Sequence, residues 1–314
     1  MTIHRDGIPT EERNPRTDGI DLLPTVEILR LLNDEDALVP AAVARVLPEL
    51  AVAVDTAVER LRSGGRMHYF GAGTSGRLAA LDAAELPPTF AMDRGLVVAH
   101  HAGGAEALTK AVEDVEDDEA AGARAAAELG AVDIAVGIAA SGRTPYVGGA
   151  LRRAGTAGAA TVLVTANPAA PLAVLADVHI GVDTGPEAIA GSTRLKAGTA
   201  TKLVLNALST AMMVRLGRTY SNLMVHLTAT NDKLRKRSVR ILVEATGLDA
   251  ATCATALSTA GGNLRAALVS VLAGTDADRA TEALAVSDGS VRAALAVLGD
   301  GAGPGRYPER VPNP

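Results

Sequence analysis

Short, almost wholly apolar runs alternate with longer stretches of helical periodicity, and this alternation limits the fold more than any other feature of the chain. The runs "RMHYF", "LVVAHH", "DIAVGIAA", "ATVLVTA" and "VHIGVD" fall between residues 66 and 184, with "RLAALDAAEL", "AEALTKAVEDV", "YVGGALRRAG" and "PLAVLAD" between them. A strand that is apolar on both faces must be covered on both faces. A helix after each strand supplies that cover, and it also supplies the crossover that parallel pairing requires. The pattern predicts an α/β fold with a five-stranded parallel sheet.

The flanks are helical. "VEILRLLNDED" and "PAAVARVLPELAVAVDTAVERLRSGG" precede the sheet; Pro40 suits a first helical turn, Gly64-Gly65 a stop, and Pro48 a kink or split. A loop, "TGPEAIAGSTR", leads into the long apolar helix "LKAGTATKLVLNALSTAMMVRLG", whose stripe reads as core or subunit interface. Composition shifts near Thr246, after which three short amphipathic helices are expected, with Asp249 and Asn263 as N-caps and Gly261-Gly262 as a stop. The predicted organisation is a polar arm over 1–20, a sheet domain with flanking helices over 21–245, a small helical module over 246–299 and a disordered tail over 300–314.

Composition removes several classes of function. Net charge is −6 and the one cationic run is Lys233 to Arg240, which argues against a nucleic-acid partner. No apolar stretch is long and charge-free enough to span a bilayer, and the first residues lack an apolar signal region, so a cytoplasmic protein is expected. The single cysteine, Cys253, allows neither an internal disulfide nor a cysteine metal cluster. His100 and His101 are strand neighbours that point to opposite faces, so a shared metal is not expected; the lone His226 reads as structural.

"GAGTSG", from Gly71 to Gly76, matches the dinucleotide pattern G-x-G-x-x-G, with a strand before it and a helix after it. The carboxylate that should end the second strand is missing, since that strand ends "VVAHHAGG". Gly73, Thr74 and Ser75 suggest a smaller ligand: a helix N-terminus offers unpaired N–H groups and partial positive charge, and two hydroxyls add donors suited to a terminal phosphate. "IAASGRTPY" repeats the pattern at another strand end with Ser141, Gly142, Arg143 and Thr144. One such loop is explained by helix capping; two on the same sheet edge indicate a sugar-phosphate site. Ser192, Thr193, Arg194 and Lys196 stand at the start of the long helix, where they suit either an anion or another subunit, or else a cap with salt bridges.

Glu85 precedes Leu86-Pro87-Pro88, which are expected to end its helix. A negative charge at a helix C-terminus is disfavoured by about 0.3–1 kcal/mol, a setting that eases proton uptake and suits proton transfer near neutral pH. Asp82, one turn earlier, reads as exposed or as a support for Glu85. "AVEDVEDDEAAG" reads as a solvated acidic face with a helix break, and spacing alone does not single out Glu116 within it.

"GAGTSGR", "GIAASGRTPY", "GPEAIAGSTRLKAGTATKLVLN" and "NLMVHLTATNDKLRKR", with "TEERNP", "EILRLLNDED" and "DAAELPPTF", resemble the N-acetylmuramic acid 6-phosphate etherase family over about residues 10 to 300. The resemblance implies a flavodoxin-like sugar isomerase (SIS) domain, a C-terminal three-helix module similar to a ubiquitin-associated (UBA-like) fold, and a homodimer with active sites near the subunit boundary. It implies a sugar-phosphate substrate, no metal and no organic cofactor. It also implies that Glu85 is an acid/base, that Glu116 is a second active-site glutamate, and that Ser75, Ser141 and Thr144 bind the phosphate, with Glu187, Ser192 and Thr193 of the third motif also lining the sugar-phosphate site. Ala139 stands where many SIS isomerases have a serine, as in the etherases, and His100-His101 replace residues that are usually apolar in the family. A SIS-domain sensor that binds a sugar phosphate and regulates a partner, and an aldose–ketose isomerase, are the alternatives.

Overall fold

The computed structural model describes residues 8–110, 112–226 and 231–299. Two compact units are present: one holds the chain up to Pro87 together with Met92–Met212, the other Pro88–Ala91 together with the chain from Met213.

In the first unit, three short 3-10 turns (Pro9–Glu11, Pro15–Thr17, Ile20–Leu22) precede helices α1 (Thr25–Asp36), α2 (Val39–Ala44) and α3 (Leu47–Arg62). There follow β1 (Met67–Gly71), α4 (Gly73–Phe90), β2 (Val97–His101), α5 (Glu106–Thr109), α6 (Glu119–Ala125), β3 (Ile134–Ile138), α7 (Pro145–Thr156), β4 (Ala160–Thr165), β5 (Val178–Gly181) and α8 (Lys196–Arg215), the last residues of α4 (from Pro88) and of α8 (from Met213) belonging to the second unit. The five strands pair in parallel in the order β2-β1-β3-β4-β5. Every residue of β1, β3 and β4 is buried, while the edge strands β2 and β5 are half-buried, which is why the histidines are tolerated there. Phe70, Val147, Leu151 and Leu163 pack together between the sheet and α7.

Several expectations are refined by the packing. Pro48 splits the second helical stretch by starting α3, and the axis turns by 61° between Thr25–Ala44 and Leu47–Arg62. Residues 8–20 are an arm fastened to the sheet unit: the Thr17 hydroxyl donates to the Ala188 carbonyl (2.8 Å) and the Gly191 amide donates to the Thr10 carbonyl (2.9 Å). Pro87 and Pro88 do not end α4, which runs to Phe90; the buried Leu86 and Phe90 offset the intrahelical bonds that the prolines lack. Among the described residues of "AEALTKAVEDV" only α5 is helical, and "PLAVLAD" forms a 3-10 turn, Pro171–Leu175, rather than an α-helix. Asp82 is buried rather than exposed, accepting from the Tyr69 and Ser209 hydroxyls (both 3.0 Å); burial pushes its carboxyl up, against the pull of those two bonds.

The second unit adds a short antiparallel pair, β6 (Thr219–Tyr220) and β7 (Leu223–Met224), and helices α9 (Asp232–Thr246), α10 (Ala250–Thr259), α11 (Leu264–Ala273), α12 (Ala277–Ala285) and α13 (Val291–Gly299) around a core of Leu242, Cys253, Leu264, Leu268 and Val291. Asp249 and Asn263 cap α10 and α11 as expected. The last of the three expected helices is two, because Asp288 and Gly289 take positive φ (50° and 74°) and turn the chain between α12 and α13. The tail over 300–314 lies outside the described residues. Among the described residues no single helix is long and apolar enough to cross a membrane.

His68 on β1 is stacked on His100, with Nδ1 2.9 Å from the His100 Nε2. Burial first, then the neighbouring His100 and Arg66, hold the His68 imidazole down at about 4. The unfolded chain therefore takes up this proton near 6.5 and the folded chain only near 4, so stability falls as pH drops through that window and is level above it. Urea unfolding at pH 7.0 and 4.5 is expected to show a smaller pH dependence in His68→Gln than in the parent; an unchanged difference would remove His68 from the account.

Candidate anion-binding site

Strand order reverses between β1 and β3, and open α/β sheets bind ligands at the strand ends beside such a reversal. β1 ends at Gly71, and Gly73 (φ +53°) opens α4. Gly76 lies so close to the strand that an added Cβ would sit 2.6 Å from the Gly71 carbonyl oxygen, so no side chain fits there. β3 leads into the Ser141–Thr144 loop, where Gly142 (φ +69°) makes the turn and a Cβ would overlap Ala170. This loop is held from outside: the Leu172 amide donates to the Gly142 carbonyl (3.1 Å) and Asn167 Nδ2 to the Ser141 carbonyl (3.0 Å). Thr144 stands at the N-cap of α7 without making a side-chain capping bond, so simple capping does not account for its hydroxyl.

The N-terminus of α8 meets the other two, with Gly198 facing the Thr74 methyl; a Cβ at Gly198 would lie 3.5 Å from it. Three helix N-termini thus border one cavity of about 400 Å³, lined by Gly73, Thr74, Ser75, Ser141, Arg143, Thr144, Thr193 and Glu116 of the sequence-predicted set. A helix N-terminus carries partial positive charge, but Glu187 takes the first two amides of α8 and the Glu116 carbonyl takes the Tyr146 amide of α7, so the N-terminus of α4 and the hydroxyls of Thr74, Ser75, Ser141 and Thr144 are what suit a phosphate-sized anion.

Other members of that set support the site from behind. Glu187 is fully buried and accepts from the backbone amides of Lys196 and Ala197 (2.9 Å each), so it caps α8 instead of facing the cavity; burial pushes its carboxyl up, against those bonds. Lys196 is buried as well, with Nζ 2.6 Å from Glu35 Oε2; Arg16 and Asn14 donate to the same carboxylate. The Arg16 hydrogen bond is the main reason that the Glu35 carboxyl lies at about 2. Lys196 is therefore a strut and not an anion ligand, and Ser192 does not line the cavity.

Another part of the cavity wall is acidic, formed by Glu11, Glu116 and Asp117. Two contacts fix the acidic segment. The Arg77 guanidinium of α4 donates to the carbonyls of Ala107, Leu108 and Lys110 (2.9–3.0 Å), and the Glu116 carbonyl accepts the Tyr146 amide (3.0 Å). Sequence reasoning missed Glu11, Asp117, Arg77 and Asn167; "TEERNP" held the signal for the first. Glu85 lies elsewhere: it is exposed, outside the cavity lining, and ten residues along α4 from Ser75, about 15 Å at the helical rise. His101 ends β2 where a dinucleotide site would have its carboxylate, and its Nε2 is 3.2 Å from the Gly73 carbonyl oxygen. Among the described residues no group of three or more His, Cys, Asp or Glu side chains is arranged to hold a metal ion.

The family model "Glucokinase regulatory protein N-terminal SIS domain" matches residues 49–155, and "SIS domain" matches residues 105–211. An N-acetylmuramic acid 6-phosphate etherase of Thermobifida fusca (strain YX) is 66% identical over 264 residues, 84% of this chain and 87% of that protein. One of Brucella anthropi is 50% identical over 271 residues, 86% of this chain and 88% of its own. A phosphoheptose isomerase structure from Neisseria gonorrhoeae aligns over 60% of this chain and 98% of its own, with TM-score 0.48 and 20% identity.

Ser75→Ala and Thr144→Val are each expected to weaken binding of inorganic phosphate roughly tenfold, the loss of one hydrogen bond to a charged group, while Ser192→Ala leaves it unchanged. Titration calorimetry checks this; parent-like affinity in both cavity variants would put the anion elsewhere.

Proposed function

Because the chain belongs to the N-acetylmuramic acid 6-phosphate etherase family, we propose that it cleaves the D-lactyl ether of N-acetylmuramic acid 6-phosphate, giving N-acetylglucosamine 6-phosphate and D-lactate, as a homodimer in the cytoplasm. The observation that carries this reading is one cavity bordered by three helix N-termini and lined by Glu116.

The reaction follows from sugar chemistry. An ether at C3 resists direct displacement. In the open-chain aldehyde the C2 proton is acidic and C3 is the β-position, so a base takes that proton, the C3–O bond breaks, and an acid protonates the departing lactate oxygen. Water then adds to the unsaturated aldehyde: its hydroxyl goes to C3 and a proton returns to C2. The net change is hydrolysis of the ether. Phosphate held by the Thr74, Ser75, Ser141 and Thr144 region lends remote binding energy that fixes C2 and C3 against the acid/base groups.

Glu85 is assigned the acid/base role in elimination and hydration, and Glu116 assists ring opening and proton delivery. Glu85 is too far along α4 to serve the cavity of its own chain, so in this reading it serves that of a second copy. Exposed apolar residues fit a subunit contact: Leu81, one turn before Glu85, is 44% exposed, and elsewhere Leu22, Val26 and Leu29 are exposed near and on α1. The match to the glucokinase regulatory protein SIS domain favours a second reading, a sugar-phosphate sensor without catalysis.

A coupled D-lactate assay separates the two readings, since a sensor releases none. Glu85→Gln and Glu116→Gln are each expected to lose at least about a hundredfold in kcat. If the sites are shared between subunits, mixing and re-equilibrating the two variants restores roughly a quarter of parent activity, from the one intact site in each mixed dimer. Parent-like turnover in Glu85→Gln, or no recovery on mixing, would contradict the assignment.

A further inference from the structure

The N-terminal segment supplies a cavity wall that the reaction scheme leaves unused. Glu11 ends the first 3-10 turn and lines the cavity that the three helix N-termini border. Its position is fixed on both sides. Before it, Thr10 is fully buried and its carbonyl accepts the Gly191 amide at 2.9 Å. After it, the buried Asn14 donates to Glu35 (2.8 Å) and to the Pro186 carbonyl (3.3 Å), tying the segment to the same carboxylate that holds Lys196 at the start of α8. The arm and the N-terminus of α8 are thus braced by one buried network, and the backbone at Glu11 is held beside Gly191.

Gly191 completes the arrangement. It takes φ +78°, and a Cβ there would stand 3.0 Å from Glu11 Oε2, so the missing side chain is what leaves room for the carboxylate over the cavity. A carboxylate is an acceptor only. Lining the same cavity of about 400 Å³, it repels a phosphoryl group and attracts hydroxyl or amide N–H donors. An anion is therefore driven away from Glu11, and donors on the remainder of the same molecule meet its carboxylate.

Resting on the phosphosugar reading above, we propose that Glu11 is a specificity-determining residue, accepting hydrogen bonds from hydroxyl or amide N–H donors of the sugar while its phosphate sits on the helix N-termini. The full-length parent, Glu11→Ala and Glu11→Gln are compared in three measurements: D-lactate release from N-acetylmuramic acid 6-phosphate, calorimetric binding of N-acetylglucosamine 6-phosphate, and calorimetric binding of inorganic phosphate. Glu11→Ala is expected to raise KM and the product Kd roughly tenfold to a hundredfold, with a smaller fall in kcat, and Glu11→Gln, which keeps one acceptor oxygen, to fall between. Inorganic phosphate, which lacks a sugar, should bind both variants as well as the parent or more tightly. An unchanged product Kd, or a parallel loss of phosphate and product binding, would overturn the proposal, the second by showing that the change had disturbed the helix ends. If the parent itself releases no lactate, the etherase reading fails, and the comparison of product and phosphate affinities still decides the role of Glu11.

Discussion

Helix N-termini repel one another, and the site depends on holding three of them together. Each of α4, α7 and α8 brings partial positive charge to the same cavity. Two devices make the arrangement stable without a ligand. The parallel sheet fixes α4 and α7 through β1 and β3, whose residues are wholly buried. The third helix is anchored from behind, where Glu187 caps its backbone and Glu35 takes its Lys196 side chain. Both carboxylates are buried and hydrogen-bonded, as burial of charge requires. Neither lines the cavity; Glu187 takes the first two backbone donors of α8, which leaves the N-terminus of α4 and the loop hydroxyls to the ligand.

The same network reaches the arm. Glu35 also receives Arg16 and Asn14, which join a segment of little apolar content to the sheet unit. That link brings the Glu11 carboxylate to the cavity, and Arg77 holds the segment that leads to Glu116 and Asp117 by the carbonyls of Ala107, Leu108 and Lys110. Carboxylates and hydroxyl-bearing helix ends in one cavity orient a ligand that carries phosphate at one end and hydroxyls along its length.

The sheet was legible because its strands are continuous apolar runs, and the two glycine-and-hydroxyl loops were legible because each follows such a run. Elements that rely on tertiary support were harder to read. Pro87 and Pro88 signalled a stop, yet the burial of Leu86 and Phe90 carries α4 past them. "PLAVLAD" has helical periodicity but only enough length for a 3-10 turn between two strands. Resemblance made Glu187 a site residue, and the polar cluster left Lys196 open between an anion site, a subunit contact and a salt bridge; their burial behind α8 is a long-range fact, since Lys196 meets Glu35 161 residues away. Glu11 was hidden for the same reason: only the folded arm brings it to Gly191. Resemblance, and not spacing, picked out Glu116 among six neighbouring carboxylates.

The account stands on the location of the phosphate. A crystal structure of the protein with N-acetylglucosamine 6-phosphate tests this most directly. The expected result is a phosphoryl group whose oxygens lie about 3 Å from the hydroxyls of Ser75 and Thr144, with the sugar extending towards Glu116. A phosphate seated away from the N-termini of α4 and α7, or a sugar lying with its phosphate against the acidic wall, would contradict it.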